Sequence, residues 1–395
     1  MVTEENDSIS NFEPALNISY QMVNFSADDF TRLELSVYLR IAVSTFCLLS
    51  LTLGTLGNIL VVVVIWKAKE LRSSMSLFLV NLSLADLMIL LMCVPLVLVE
   101  LHTNLSSWLL GEGMCKVVPY VQMTTEHASV LTILAISFER YYAICQPLKA
   151  GYKCTPMRAL VIIAVIWLVA ALSTTPMLFT IRCFIKRDLY SEKFVNVCFM
   201  SVELLWQKLF YLLSIGIFYI LPFLILLVVY CHIGKHLMTC SKGLNSSNEE
   251  NQMRSRRQVV LMLVAVVVSF FVCMLPFRIF VIWLILSPPE DIINLGTETY
   301  FNLLYSCSVL LYINATLNPF LYNAISSKFR RSFIHILGCS SIRKTTKSTT
   351  ASNTATIDTR TNNRKLILSF NTRQHTAAKY NKQQLPLDHG KNLHV

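Results

Sequence analysis

Four ionisable side chains lie inside long apolar stretches of this chain: Asp86, Glu126, His127 and Arg278. Two more, Glu139 and Arg140, stand at the edge of one. An unpaired charge is costly in an apolar interior, so each of these groups must pair, hold an ion or lose its charge. Catalysis is the first chemistry to weigh. An enzyme working there needs paired groups, such as two aspartates or a serine beside a histidine. Asp86 is the only aspartate in these stretches, and His127 has no nucleophile at helical spacing. The twelve cysteines include no CxxC or Cys/His cluster, which argues against structural zinc. No cofactor is expected, and the pattern points to charge pairing and ion binding rather than to an enzyme.

The elements that carry these groups follow from hydropathy. Only 14% of the 395 residues are charged and 54% are hydrophobic, whereas about a quarter of a soluble domain is charged. Seven runs are long enough for a helix to cross a bilayer, which takes about 20 apolar residues. They span 41–66, 76–99, 117–138, 159–181, 209–231, 258–286 and 300–327. Continuous apolarity argues against barrel strands, which alternate. Backbone amides in lipid must be satisfied within the segment, so each run is expected to be a helix. The fold class is an all-α, seven-helix membrane bundle.

Lys and Arg in the short loops set the orientation. Lys67, Lys69 and Arg72 follow the first run, and Lys149, Lys153 and Arg158 the third. Lys235, Lys242, Arg254, Arg256 and Arg257 follow the fifth, and Lys328, Arg330 and Arg331 the seventh. These segments are expected inside. Residues 1–38 hold Arg32 as their only basic residue among seven acids, so the amino terminus is expected outside at the plasma membrane. They lack the apolar core of a cleavable signal, and the first run is expected to act as an uncleaved anchor. Asn6, Asn17 and Asn24 each open an N-x-S triplet there and are candidate glycosylation sites. The net charge of +11 reflects these inner clusters, not nucleic-acid binding.

Four regions result: an outer tail at 1–38, the bundle at 39–325, an amphipathic stretch at 326–339 and a polar tail at 340–395. In the third, Phe329, Phe333, Ile334 and Leu337 oppose Lys328, Arg330 and Arg331, as in a helix lying in the interface. Cys339 is a candidate for palmitoylation, with a free thiol as the alternative. The last region has the composition of a disordered tail. Its hydroxyls are candidate phosphate acceptors, or the tail is inert and solvated.

Polar residues inside the runs form an ordered series: Gly57-Asn58, then Asn81 to Asp86, Cys115, Glu139-Arg140-Tyr141, Trp167, Pro222 with Tyr230, Phe270 with Pro276, and Asn318-Pro319 followed by Tyr322. Over roughly 39–339 the chain resembles the rhodopsin-like (class A) G-protein-coupled receptors. No single motif is specific, but the whole set in order, one or two per run, is.

The resemblance implies roles. Asp86, Ser129, Asn314 and Asn318 match residues that hold a sodium ion, and oxygen ligands suit such a hard cation. The alternative is a protonated Asp86 bonded to Asn318. Glu139 pairs locally with Arg140 at rest and releases it, beside Tyr141, to a heterotrimeric G protein. A second acidic lock is expected to be missing, because the foot of the sixth run reads Arg254-Ser255-Arg256-Arg257. Pro222 and Pro276 are expected to kink their helices, with Tyr230, Tyr322 and Pro319 serving activation. The family's usual tryptophan before the sixth-run proline is Met274 here, so Met274 or Phe270 takes the toggle role. Cys115 is expected to join the second outer loop through Cys198, with Cys183 as the alternative.

Ligand class is also read through the resemblance. Amine receptors have an aspartate where Gln122 stands, and opsins a lysine where Tyr312 stands. A short outer tail without cysteines fits neither glycoprotein-hormone nor chemokine receptors. A peptide receptor remains, closest in local motifs to the group of thyrotropin-releasing-hormone, ghrelin and neuromedin receptors. The expected pocket comprises Gln122, Met123, Glu126, Phe277, Arg278 and Tyr312, with Glu126 and Arg278 forming a salt bridge. Coupling through Gq with calcium mobilisation is expected, and arrestin and receptor kinases are expected partners of the tail. The alternatives are a lipid or small-metabolite receptor, a non-signalling peptide scavenger, and a seven-helix transporter.

Overall fold

A computed structural model describes residues 36–67, 73–103, 108–187, 194–241 and 247–336. Seven helices in it are long and apolar enough to cross a membrane: α1 (Val37–Lys67), α2 (Ser74–His102), α3 (Gly111–Cys145), α4 (Pro156–Thr180), α5 (Leu205–Cys240), α6 (Glu249–Leu286) and α7 (Glu298–Ile325). A shorter amphipathic helix, α8 (Ser327–Ile336), follows. All seven apolar runs fold as helices, but several extend further. Hydropathy marks only what must sit in hydrocarbon, whereas helix geometry continues into polar sequence. Thus α3 begins at Gly111 and α6 starts with Glu249 and Glu250.

The flanks are apolar and exposed. On α4, Leu160, Val161, Val165, Leu168 and Leu172 are all at least half uncovered. A face of that kind needs an apolar surrounding rather than water.

Three of the long helices contain a π-helical turn: Ser50–Gly54 in α1, Ile89–Cys93 in α2 and Gly216–Ile220 in α5. Those in α2 and α5 end two residues before Pro95 and Pro222. Proline lacks the donor for the carbonyl four residues back. A widened turn is one way to absorb that missing bond. Pro119, Pro276 and Pro319 lie inside α3, α6 and α7 without such a turn.

The contact of α1 with α2 and α7 depends on two glycines. A methyl group on Gly54 would come within 2.7 Å of both the Leu90 Cδ1 and the Thr316 Oγ1. One on Gly57 would meet Pro319 at 3.0 Å. Backbones approach this closely where helices must associate through packing. Asn58 Nδ2 adds hydrogen bonds to the carbonyls of Gly54 and Ala315, both at 3.0 Å.

Between α4 and α5 the chain forms an antiparallel hairpin, β1 (Ile181–Arg187) with β2 (Phe194–Met200). A disulfide ties Cys198 on β2 to Cys115 near the start of α3, with the Cα atoms 5.8 Å apart. Cys183 lies directly across the ladder from Cys198 and is free. The hairpin is also held by the Trp108 N–H, which donates to the Asn196 carbonyl at 2.6 Å. The hairpin marks one end of the bundle, the hairpin end.

Cys198→Ser is expected to release the hairpin and abolish folded chain in the membrane, whereas Cys183→Ser is expected to be tolerated. Surface labelling of both variants checks this, and equal loss would reverse the assignment of the bond.

Candidate functional site

Below the hairpin, α3 and α6 bring two buried charges together. The Arg278 Nη2 donates to the Glu126 Oε2 at 2.5 Å. The other carboxylate oxygen, Oε1, accepts from Gln122 Nε2 at 3.3 Å, one helical turn away. Glu126 is 4% and Arg278 9% exposed, so the pair is shielded from solvent and its attraction is strong. Removing either partner would leave the other charge buried, at about 3–5 kcal/mol. The Arg278 Nε has no partner, which leaves one donor of the guanidinium unused.

Met123 and Phe277 pack in one cluster beside Tyr211, Ile215 and Val281. Tyr312 is placed apart from them, buried among Val43, Cys93, Val118 and Val309. The structure thus joins Gln122, Glu126 and Arg278 directly and places Met123 and Phe277 in one apolar cluster.

His127, the residue after Glu126, faces another way. Its ring stacks on Phe218 with centroids 3.8 Å apart, and its nitrogens lie 3.2 Å from Ser173 Oγ and 3.0 Å from Ser214 Oγ. It therefore ties α3 to α4 and α5, at the π turn of α5. Its apolar context on the sequence was a signal of burial but named no partner.

Deeper in the bundle, Asp86, Ser129, Asn314 and Asn318 are all at most 5% exposed. Asn318 Nδ2 donates to Asp86 Oδ2 at 2.8 Å. Three acceptors of this set, Ser129 Oγ, Asn314 Oδ1 and Asn318 Oδ1, are buried without partners. Ser83 Oγ is in the same condition. The Asp86 carboxylate, its partner Asn318 with an orphaned oxygen, and the unpartnered oxygens of Ser129 and Asn314 are a donor set that fits a small cation taking oxygen ligands. Among the described residues no cluster of His, Cys, Asp and Glu suits a transition metal.

At the end away from the hairpin, Glu139 has a second partner beside the expected Arg140. Its carboxylate accepts a hydrogen bond from the Ser74 hydroxyl of α2. The Arg140 Nη2 stands 4.0 Å from the same oxygen, a loose pair at best. The Arg140 Nε has no partner. No acid from α6 reaches Arg140 among the described residues. Instead, Ser327 at the start of α8 donates to Gln258 Oε1 of α6 at 2.9 Å, and Tyr230 and Ser137 share a bond of 2.9 Å between α5 and α3. Ser74, Ser137, Gln258 and Ser327 were not legible as partners, because neutral side chains on separate helices leave no mark in spacing.

Other activation candidates lie in the core. Phe270 and Met274 are buried together with Tyr322, and Phe271 sits edge-on to Phe270. The Tyr219 hydroxyl, in the π turn of α5, donates to the Phe271 carbonyl at 2.8 Å and links α5 to α6 one turn before Pro276. Tyr322 is fully buried against Phe329 of α8. Tyr141 is half-buried, packed against the cluster of Ile144, Ile233 and Leu237. Asn6, Asn17, Asn24 and Cys339 lie outside the described residues.

Comparison with known proteins agrees with this arrangement. Residues 57–322 match the family model described as 7 transmembrane receptor (rhodopsin family). A QRFP-like peptide receptor of Branchiostoma floridae is 32% identical over 313 residues, covering 78% of this chain and 80% of that receptor. The thyrotropin-releasing hormone receptor of Gallus gallus is 31% identical over 340 residues, 80% of this chain and 82% of that one. The growth hormone secretagogue receptor type 1 of Oryctolagus cuniculus is 32% identical over 299 residues, 75% of this chain and 80% of that one. Seven apolar helices, the ordered polar series within them and a family match across most of the bundle establish that the chain belongs to the rhodopsin family of G-protein-coupled receptors, a family of receptors and not of enzymes.

Proposed function

We propose that this receptor binds an extracellular peptide at the hairpin end and activates a heterotrimeric G protein at the other, with the amino terminus outside the plasma membrane. The observation that carries the ligand site is the buried Glu126–Arg278 pair beneath the hairpin. A peptide brings amides and charged ends that can re-pair both groups, and Gln122 lies in position to bond an amide. Met123, Phe277 and Tyr312 supply apolar and hydroxyl surface. The three relatives cited above are named for a peptide, a releasing hormone and a secretagogue. Orientation follows from basic residues such as Lys67, Arg158 and Lys235 at the far end.

Signalling is assigned to Glu139, Arg140 and Tyr141 with the hinge prolines Pro222 and Pro276. Tyr230, Tyr322, Asn318 and Pro319 complete the path, and Phe270 or Met274 serves as the toggle. Gq coupling with calcium release is the favoured output. The tail at 340–395 is assigned to receptor kinases and arrestin, Cys339 to palmitoylation, and Asn6, Asn17 and Asn24 to glycosylation. Asp86, Ser129, Asn314 and Asn318 would hold a sodium ion, which supplies positive charge to a carboxylate otherwise held by one asparagine.

Three outcomes are expected. Cells expressing the chain should release calcium when challenged with short neuropeptides, and Arg140→Ala should abolish the response. Silence at confirmed surface expression, in calcium and cyclic-AMP assays alike, would turn the assignment toward lipids and small metabolites. The double variant Glu126→Gln with Arg278→Gln removes both charges together and should reach the surface, with agonist potency lowered at least about tenfold, one contact's worth. Unchanged potency would make the pair purely structural. Agonist affinity in sodium chloride should be lower than in an organic-cation salt for the parent chain, and equal in both for Asp86→Asn. The sodium assignment fails if the parent shows no difference.

A further inference from the structure

Three side chains at the end away from the hairpin have no part in the sites above. Cys145 and Cys240 are the last residues of α3 and α5, and His236 lies one turn before Cys240. Residues four apart on a helix share a face, and the Cys240 Sγ stands 3.5 Å from the His236 Nε2. Both cysteines are free; Cys240 is exposed and Cys145 half-buried. Cys145 packs against the apolar cluster that holds Ile233 and Leu237 of α5. Leu237 is one turn before Cys240, and the two sulfurs are near enough for the charge of one to act on the other.

An exposed thiol with an imidazole beside it is a nucleophile next to a base. Cys231 is exposed on the same helix and has no imidazole contact among the described residues. A second thiol nearby lets a sulfenic acid end as a disulfide instead of oxidising further. We propose that Cys240 and Cys145 form a reversible oxidation site, at which hydrogen peroxide attacks Cys240 and Cys145 closes a disulfide between α5 and α3. In the tautomer with its proton on Nδ1, the His236 Nε2 takes the Cys240 proton. The sulfur then attacks one peroxide oxygen and the O–O bond breaks. Cys240 becomes a sulfenic acid, and the departing hydroxide takes the proton from His236 and leaves as water. The Cys145 thiol displaces the sulfenic hydroxyl, which leaves as a second water. Two thiols and one peroxide thus give one disulfide and two waters.

The consequence for signalling rests on the orientation given above, which sets this end inside the cell. Thiols there are kept reduced, so the dithiol is the resting form and the disulfide a transient one. In the dithiol form a side-chain hydrogen bond, Ser137 to Tyr230, joins α3 to α5 toward this end. The disulfide adds a covalent tie at the last residues of both helices. Oxidation therefore holds α5 against α3 where a G protein would dock, and reduction releases it.

Peptide mapping by mass spectrometry of the full purified chain, treated with hydrogen peroxide, tests the chemistry. Neither peptide ligand nor G protein is needed, so a wrong ligand assignment would leave this result untouched. A Cys145–Cys240 linked pair should appear and should vanish on adding dithiothreitol, with Cys231 still a thiol. Cys145→Ser should leave a sulfenic acid on Cys240 that dimedone traps. His236→Gln should slow formation of the linked pair at least about tenfold, the low end for loss of a positioned base being larger still. In the oxidised parent, amide exchange over the last turn of α5 should slow at least about tenfold, as a cross-link across that end requires. The proposal is overturned if no linked pair forms, if Cys231 is consumed as fast as Cys240, or if Cys145→Ser leaves Cys240 unmodified. Orientation is read separately with a membrane-impermeant maleimide, which should reach Cys240 only in permeabilised cells. Labelling in intact cells would overturn the intracellular switch through the orientation and not through the pair. Cys240 is exposed, so Cys240→Ser, which should leave Cys145 a free thiol under peroxide, decides the pairing even if Cys145→Ser fails to fold.

Discussion

A polar side chain taken out of water needs a partner inside, and α3 carries more such side chains than any apolar helix would hold without reason. Many of them bond to a different neighbouring helix, while Ser129 Oγ is left without a partner. Glu126 binds Arg278 of α6, Thr124 meets Thr174 of α4, and His127 reaches α4 and α5. Thr132 accepts from Asn81 of α2, which in turn accepts from Trp167 of α4. Ser137 meets Tyr230 of α5, and Glu139 takes the hydroxyl of Ser74 on α2. Read along the helix, these bonds fix how α3 is rotated and which helix lies beside each of its faces. In a lipid-like surrounding apolar contact alone discriminates poorly between helix faces, so polar pairing supplies specificity.

The two ends of the bundle are held by bonds of different strength. Beneath the hairpin stand a covalent tie and a buried ion pair. At the other end α2 and α3 are joined through the Glu139 carboxylate, but the side-chain bonds that close α5 and α6 there are single and between neutral groups, Ser137 to Tyr230 and Ser327 to Gln258. A neutral hydrogen bond contributes about 1 kcal/mol net, so these contacts can open at small cost. Arg140 is only loosely engaged. Motion of α5 and α6 is thus cheapest where a signalling partner would dock, and the π turn of α5 and Pro276 of α6 lie between the two regions.

Much of this was legible in the chain because burial is strict about charge and length. The seven spans and the Glu126–Arg278 pair both follow from what hydrocarbon tolerates, the latter with the help of a family resemblance. The disulfide partner was harder. Cys183 and Cys198 occupy facing positions of one ladder and project to the same face, so spacing could not separate them, and only the position of each sulfur relative to Cys115 does. The partner of Glu139 was hidden, since Ser74 is 65 residues away and carries no charge. The π turns were hidden too, because an extra residue in a helical turn alters no hydropathy pattern.

The glycine contact of α1 has a meaning for how this gene product can vary. On the outer face of α4, residues such as Leu168 and Leu172 touch little protein, and one apolar side chain serves there as well as another. Substitutions at such positions can accumulate without selection noticing. At Gly54 the smallest possible enlargement meets two neighbouring helices at once. Any enlargement there requires both Leu90 and Thr316 to give way, so the three positions are coupled. Divergent descendants of this receptor should therefore carry their differences on the rim of the bundle and share the seam between its first, second and seventh helices.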